Sequence, residues 1–261
     1  MSSKPAIVFV HGNPETAVVW DRLSEAVHAV RQADQIRLSP PGFGAAVPDG
    51  FEPSPDAYRD WLAAELELIG EPVDLVGHDW GGAHVVAVAM TRPELIRTWA
   101  TDAIGVFHPD YVWHPLAQIW QTPGAGEQWV SDTLAAPAEQ FAAALTSLGM
   151  DAGIAARIAP AFDETMGRSV LELYRRARQP AMARLGAKLP EAASRPGLAL
   201  IAEDDKNVGT IAQRRTAARA AGAAAVSLPG AGHWWLTTSD QQTAIEALTR
   251  LWAGADRVTS D

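Results

Sequence analysis

The sequence contains no cysteine and only three tyrosines among its 261 residues. Without cysteine the chain has no disulfide, no thiolate nucleophile and no cysteine-bound zinc, which suits a reducing compartment. No run of about 18 apolar residues occurs, and the apolar stretch near the N-terminus is too short for the core of a signal peptide. These absences predict a cytoplasmic protein that does not span a membrane.

Positive charge is also scarce. The chain has 21 lysines and arginines against 31 aspartates and glutamates, for a net charge of -10. Such a surface repels phosphate backbones and anionic lipids, so nucleic acid and membranes are excluded as partners. The hydrophobic share of 48% is ample for a buried core in one large domain or two small ones.

Short apolar runs rich in β-formers alternate with longer alanine-rich stretches at helical spacing. Strands that alternate with helices predict crossover connections and a parallel sheet covered on both faces. The sequence therefore predicts an α/β protein with helices near Thr16 and over 55–69, 81–92 and 240–253. The predicted strands are 6–10, 35–39, 73–77, 96–102, 198–203 and 224–228.

The segment between the fourth and fifth predicted strands has helical patches but no strand signal. It spans residues 105–190 and includes "AEQFAAALTSLG" and "GRSVLELYRRA". Helices inserted at the carboxyl ends of sheet strands cover the crevice in which such folds bind ligands. We expect a helical cap at 105–190, inserted into a core domain formed by 1–104 and 191–261.

The stretch "VGHDWGG" at residues 76–82 joins a predicted strand to a predicted helix. A sharp strand-to-helix turn needs small neighbours around a nucleophile held in strained backbone geometry, and Gly77 and Gly81 flank Asp79 at the required spacing. A simple helix cap is the alternative role for Asp79. The spacing favours a nucleophile.

An aspartate in this turn is already ionised at neutral pH, unlike a serine. It can displace a leaving group at saturated carbon and form an alkyl ester, which water must then cleave. Asp79 therefore argues against an ordinary esterase and for attack on an epoxide or an alkyl halide.

Ester hydrolysis needs a base that activates water. His233, in "GAGHWW", and Asp205, in "AEDDKN", follow successive predicted strands at the same end of the sheet as Asp79. An imidazole oriented by a buried carboxylate deprotonates water near pH 7. Asp204 and Asp102 are the competing acids.

The tetrahedral intermediate needs N–H donors for its oxyanion. The backbone N–H of Trp80 directly follows the nucleophile, and Asn13 in "HGNP" follows the first strand. Gly12 allows a close backbone approach, and Pro14 can fix the loop through a cis bond.

Together these residues resemble the α/β-hydrolases of the epoxide hydrolase and haloalkane dehalogenase branch. The stretches "HGNP", "PPGFG", "GHDWGG", "AEDD" and "GAGHWW" occur in that family's order outside the predicted cap. The resemblance implies the α/β-hydrolase fold. Because the chain opens almost directly on the strand before "HGNP", the family's usual first two strands are absent, and we expect about six strands in a mostly or wholly parallel sheet.

In epoxide hydrolases the cap donates phenolic hydroxyls to the epoxide oxygen. "LELYRRA" resembles the family's cap segment with one such tyrosine, here Tyr174. Leu116 stands where the second is expected, so Tyr111 or His114 can substitute. The residues expected to line the substrate pocket are Tyr111, Trp113, His114, Trp120 and Trp234.

Haloalkane dehalogenases hold the departing halide between N–H donors, commonly the indole after the nucleophile and an asparagine in the oxyanion loop. Trp80 and Asn13 match that pair. Because the tryptophan also occurs in epoxide hydrolases, only Asn13 discriminates between the two activities.

The resemblance implies an epoxide hydrolase that converts a small apolar organic substrate and water to a vicinal diol. Asp79, His233 and Asp205 would form its triad, with Tyr174 as the proton donor. A haloalkane dehalogenase and a non-catalytic ligand receptor are the alternatives. "GFGAAV" fails the dinucleotide fingerprint and no HExxH occurs, so we expect neither cofactor nor metal. The sequence leaves the oligomeric state open.

Overall fold

The computed structural model describes residues 4–258 and contains a six-stranded sheet. The strands are β1 Ile7–Val10, β2 Gln35–Leu38, β3 Val73–Gly77, β4 Ile96–Thr101, β5 Gly197–Ala202 and β6 Ala224–Leu228. They lie in the order β2-β1-β3-β4-β5-β6, and every neighbouring pair is parallel. The predicted α/β-hydrolase sheet of six parallel strands is confirmed.

Eleven α-helices occur within residues 4–258. They are α1 Asp21–Val30, α2 Pro55–Ile69, α3 Asp79–Thr91, α4 Pro115–Gln121, α5 Ala125–Ala135, α6 Ala138–Ser147, α7 Ala152–Ile158, α8 Glu164–Arg176, α9 Ala181–Gly186, α10 Ile211–Ala220 and α11 Gln242–Val258. Helices α2, α3 and α10 pack on one face of the sheet, and α1 and α11 pack on the other. In the part of the chain that is described, no helix is long and apolar enough to cross a membrane.

The sheet buries both faces because its central strands are apolar at most positions. In β1, Val8 and Val10 pack with the α2–α3 side, whereas Ile7 and Phe9 pack with the α1–α11 side. This division follows the two-residue period of a strand. The continuous apolar runs of the sequence are thus explained by helices on both sides of a parallel sheet.

Predicted and observed helix boundaries agree for α2 but differ for the other helices, and the last helix runs over Gln242–Val258 rather than 240–253. Helix α2 matches its prediction, since the Ser54 side chain caps its start and Gly70, at φ 81°, ends it. Helix α3 begins at Asp79 rather than at residue 81, because Asp79, at the turn after β3, is already the first residue of the helix. The region near Thr16 forms a short 3₁₀ turn over Ala17–Trp20 before α1 begins.

Helices α4 to α9 all lie between β4 and β5, in the segment 105–190 that we call the cap segment. The boundaries at 104 and 190 remain a prediction. The strand order reverses between β1 and β3, so the carboxyl ends of these two strands open a crevice. The cap segment begins at the same edge of the sheet, after β4. Asn13 follows β1 and Asp79 follows β3, which places both at this crevice.

Candidate active site

Asp79 lies at the sharp turn between β3 and α3. Its φ of 49° makes it the one non-glycine residue with positive φ among residues 4–258, and such strain is characteristic of functional sites. A Cβ on Gly81 would collide with the carbonyl oxygen of Val10. The turn therefore needs glycine at that position, as the sequence pattern predicts.

Two backbone N–H groups converge on the Asp79 carboxylate. The N–H of Asn13 donates to Oδ2 over 3.1 Å, and the N–H of the adjacent Trp80 weakly opposes the rise that burial causes in the pKa of Asp79. A Cβ on Gly12 would collide with that carboxylate, and the Asn13–Pro14 peptide is cis as predicted. These two donors are correctly oriented to hold an oxyanion formed on the same carbon.

His233 lies beside the nucleophile and pairs with an acid on its far side. Its Nε2 is 3.8 Å from Oδ1 of Asp79, and its Nδ1 is 2.9 Å from Oδ2 of Asp205. Asp205 also accepts a hydrogen bond from the N–H of Asn207 over 2.7 Å. The structure thus brings together the three residues that the sequence predicts as a triad.

The charges of this group are coupled. Burial lowers the pKa of His233, but Asp205 and, more weakly, Asp79 outweigh it and raise the pKa to about 9. Burial opposes ionisation of Asp205, yet His233 and the N–H of Asn207 lower its pKa to about 2. Burial raises the pKa of Asp79, and His233 opposes that rise. The resting His233 is therefore an imidazolium paired with the ionised Asp205, and it lies next to Asp79.

The two competing acids lie elsewhere. Asp204 is exposed. Asp102 is buried and accepts hydrogen bonds from the N–H of Asp79 over 3.0 Å and from the indole N–H of Trp235 over 2.8 Å. Its other partner is His78, whose Nδ1 is 2.6 Å away. Asp102 is thus committed to the turn and to His78.

His78 and Glu15 form a second buried charge pair behind the triad. His78 Nε2 lies 3.2 Å from Oε1 of Glu15, and both side chains are fully buried. Burial lowers the pKa of His78, but Asp102 and Glu15 raise it well above its usual range. Burial raises the pKa of Glu15, yet His78 lowers it to about 2. Both groups are consequently charged.

Glu15, His78 and His233 offer ligand atoms that all lie within 4.8 Å of one another. The raised pKa of both histidines keeps them protonated at neutral pH, whereas a metal ion needs a neutral imidazole. We interpret the cluster as a network of alternating positive and negative groups around Asp79 and His233.

Sequence reasoning missed the supporting residues. Glu15 and His78 stand in or directly beside the motifs "HGNP" and "GHDWGG", but their pairing depends on the contact between two loops distant in sequence. Asn207, whose backbone orients Asp205, gave no sequence signal because any residue except proline can supply an N–H.

Tyr174 extends from α8 toward the nucleophile. The rings of Tyr174 and Trp80 meet edge to face at 5.5 Å, and both residues line the small void beside Asp79. Burial raises the pKa of Tyr174 well above its usual range, and the charge of Asp79 raises it further. The hydroxyl therefore keeps its proton at neutral pH and can donate it.

A cavity of about 560 Å³ opens beside this group. It is lined by Asp79, His233 and Tyr174 and by three of the predicted pocket residues, His114, Trp120 and Trp234. The other two predicted pocket residues, Tyr111 and Trp113, do not line this cavity. They line only a void of about 10 Å³ beside Asp79. The Tyr111 hydroxyl donates to the carbonyl of Asn207, so its proton is directed away from the cavity.

His114 caps helix α4. Its Nδ1 accepts the backbone N–H of Ala117 over 3.2 Å, which leaves the ring proton on Nε2. Burial and, more weakly, the charge of His233 lower the pKa of His114 to about 4, so the ring is neutral at neutral pH. A neutral N–H donor thus lies on the cavity wall, 6.1 Å between ring centroids from Tyr174.

Curated proteins share short stretches with this chain. An epoxide hydrolase from Caballeronia sordidicola is 29% identical over 106 residues, covering 36% of this chain and 29% of that protein. A haloalkane dehalogenase from Mycolicibacterium smegmatis is 38% identical over 89 residues, covering 30% and 26%. The matched stretches therefore span under a third of the length of either relative.

Solved structures agree over nearly the whole chain. A haloalkane dehalogenase from Bradyrhizobium elkani has a TM-score of 0.73 at 23% identity, covering 99% of this chain and 93% of that one. A thioesterase domain from the curacin biosynthetic pathway has a TM-score of 0.66 at 16% identity, covering 96% and 91%. At these identities the likeness establishes the fold. The family model of the alpha/beta hydrolase family matches residues 7–247, and the chain belongs to that family.

Proposed function

We propose that the protein is an epoxide hydrolase that works through an ester on Asp79. The observation that carries this proposal is Tyr174, which lines the cavity together with Asp79 and His233. Burial and the charge of Asp79 raise the pKa of Tyr174 well above its usual range, so the hydroxyl keeps its proton at neutral pH. This arrangement supplies an acid for a leaving alkoxide.

In the first step the Asp79 carboxylate attacks an epoxide carbon, and the carbon–oxygen bond of the ring breaks. The alkoxide takes the proton of Tyr174, which leaves a hydroxyalkyl ester. We propose His114 as a second donor in place of the absent second tyrosine. Its Nε2–H is available because Nδ1 is bonded to Ala117.

In the second step His233 takes a proton from water, which attacks the ester carbonyl. The N–H groups of Asn13 and Trp80 hold the oxyanion, and collapse releases the diol and regenerates Asp79. Before this step the His233 imidazolium gives its proton to the Tyr174 phenolate left by ring opening, and the proton released in hydrolysis returns to His233. Because the ester has lost the charge of Asp79, which raises the pKa of His233, the imidazole gives up its own proton more readily in the intermediate than in the resting state.

A haloalkane dehalogenase is the second candidate, and the Asn13 side chain favours it. This amide lines the cavity, and within residues 4–258 neither its nitrogen nor its oxygen has a hydrogen-bond partner. A free amide N–H could hold a leaving halide. Tyr174 on the cavity wall weighs against this candidate, since a departing halide takes no proton from an acid.

A single-turnover reaction in heavy-oxygen water tests the proposal. With excess enzyme and a terminal epoxide, the oxygen added to the diol comes from Asp79, so the first diol is unlabelled and the label appears in the Asp79 peptide. Label in the first diol would contradict an ester intermediate. Asp79→Asn is the control because asparagine tolerates positive φ, and it should form no diol. Halide release from a terminal alkyl halide in a parallel assay, with no diol formed from the epoxide, would favour the second candidate.

A further inference from the structure

The cavity beside Asp79 is much larger than a small epoxide requires. Its volume of about 560 Å³ lies within the range of roughly 300–1,000 Å³ of sites that bury a drug-sized ligand. The triad and Tyr174 occupy one end. From there the cavity runs outward between α5 and α6, which supply most of the remaining walls.

An aromatic wall follows the cavity from the reacting end outward. The ring of Tyr174 lies 4.7 Å from that of Trp120, which lies 5.1 Å from that of Trp129. The Trp129 ring lies 6.4 Å from that of Phe141 on α6. Leu145 and Leu148 continue the apolar lining along α6. Such a wall binds extended hydrocarbon by burial of apolar surface.

The outer end of the cavity is open and carries negative charge. Its lining residues there include Asp132, Gln140, Ala144 and Leu148, and Leu148 is 61% exposed. The Asp132 carboxylate accepts a hydrogen bond from the Gln128 amide, which is neutral. Within residues 4–258, no lysine or arginine lines the cavity. A second carboxylate at this opening would meet a like charge.

We propose that the substrate is an elongated, uncharged epoxide whose reacting carbon lies at Asp79 and whose chain runs between α5 and α6 to the opening at Asp132. This assignment of substrate class rests on the proposed function. Each buried methylene strengthens binding about fourfold, so the apolar wall favours long chains. The negative opening excludes chains that end in a carboxylate and accepts ends that are apolar or carry a hydroxyl.

Chain length is tested with terminal epoxides of four and twelve carbons. We expect kcat/KM for epoxydodecane to exceed that for epoxybutane by at least about a hundredfold. Equal or reversed values would overturn the proposal while leaving the epoxide hydrolase intact. If neither compound is turned over, the proposed function is contradicted. Ligand binding then tests the substrate class without turnover.

A cavity-filling variant identifies the path of the chain. Ala144 lines the outer cavity and is exposed, so Ala144→Trp should fill the space without disturbing the core. It should abolish the advantage of epoxydodecane over epoxybutane. Ala143→Trp is the matched control, because Ala143 is exposed on the same helix and does not line the cavity. Equal effects of the two variants would place the chain elsewhere.

A charge reversal tests the opening. In the wild type, epoxydodecane should be preferred at least about tenfold over its analogue with a terminal carboxylate, and added salt should shrink this ratio. Asp132→Lys should move the preference several-fold toward the carboxylate, and lysine is favourable near the C-terminus of α5. Preference for the carboxylate in the wild type would overturn the assignment of an uncharged substrate.

Binding can be measured without turnover because Trp120, Trp129 and Trp234 line the cavity. Dodecanediol should quench tryptophan fluorescence at concentrations at least about a hundredfold lower than butanediol. Ala144→Trp would add its own signal to the tryptophan fluorescence, so Ala144→Phe is used instead. This variant should weaken dodecanediol binding. Equal binding of the two diols would overturn the proposal whatever the reaction proves to be.

Discussion

The backbone N–H of Asp79 donates a hydrogen bond to Oδ1 of Asp102 over 3.0 Å. This contact ties the acid that follows β4 to the strained turn. The same carboxylate pairs with His78 through Oδ2, so it is not available to orient His233. The acid after β5, Asp205, holds that position instead.

Substitution of Asp205 and substitution of Asp102 should therefore have different effects on activity and stability. Asp205→Asn should lower kcat by about 10⁴-fold, since a misoriented imidazole loses that much. Asp102→Asn should act mainly on stability, by about 3–5 kcal/mol, because it leaves a buried imidazolium with only one carboxylate partner. Steady-state kinetics and chemical denaturation of both variants measure this. The reverse ranking would assign the orienting role to Asp102.

Removal of the Tyr174 hydroxyl should slow ring opening. Tyr174→Phe takes away the acid for the alkoxide, so the rate of ester formation from an epoxide should fall by about 10²- to 10⁴-fold. Tyr111→Phe is the matched control, because the Tyr111 hydroxyl is committed to the Asn207 carbonyl. Stopped-flow tryptophan fluorescence follows the step. Equal losses in both variants would remove Tyr174 from the chemistry.

The proposed proton-donor role of His114 should be separable from its role as the N-cap of helix α4. Asparagine is also a good N-cap, so His114→Asn should keep helix α4 and remove only the Nε2–H donor. We expect ester formation to slow about tenfold or more with an unchanged melting temperature. His114→Ala should lower the melting temperature as well. Full activity of the asparagine variant would leave Tyr174 as the sole donor.

The raised pKa of His233 predicts a loss of stability at alkaline pH. Its pKa is about 9 in the folded protein, against the ordinary value of 6.5 for histidine in an unstructured chain. Stabilisation is therefore complete below pH 6.5 and is lost as the pH rises through about 9, by about 3 kcal/mol. Denaturant unfolding between these pH values measures the loss. His233→Gln should flatten this part of the profile, and an unchanged profile would contradict the assigned charge state.

The sheet and the nucleophile turn could be predicted from sequence because their signals are local. The strand β3, the small residues around Asp79 and the following apolar helix are consecutive in the chain, and only one backbone geometry suits them. The histidine and its acid followed from the rule that parallel strands end at one edge.

The remaining parts of the site depend on contacts that no local pattern contains. Tyr111 and His114 are both near the expected donor position in sequence. His114 accepts a hydrogen bond from the N–H of Ala117, whereas the Tyr111 hydroxyl donates to the carbonyl of Asn207. These bonds distinguish the two residues, and both bonds require the folded cap segment. The pairing of Glu15 with His78 joins two loops for the same reason.

The central claim is that Asp79 attacks saturated carbon and that His233 acts only afterwards. His233→Gln should therefore let an ester form and persist, and intact-protein mass spectrometry of this variant with a terminal epoxide tests it directly. The account predicts an adduct of the full substrate mass on the peptide that holds Asp79, because the epoxide oxygen stays attached after ring opening. An alkyl halide would instead add its mass less one hydrogen halide. An adduct with halides alone would contradict the epoxide mechanism, and no adduct with either class of substrate would contradict the covalent mechanism itself.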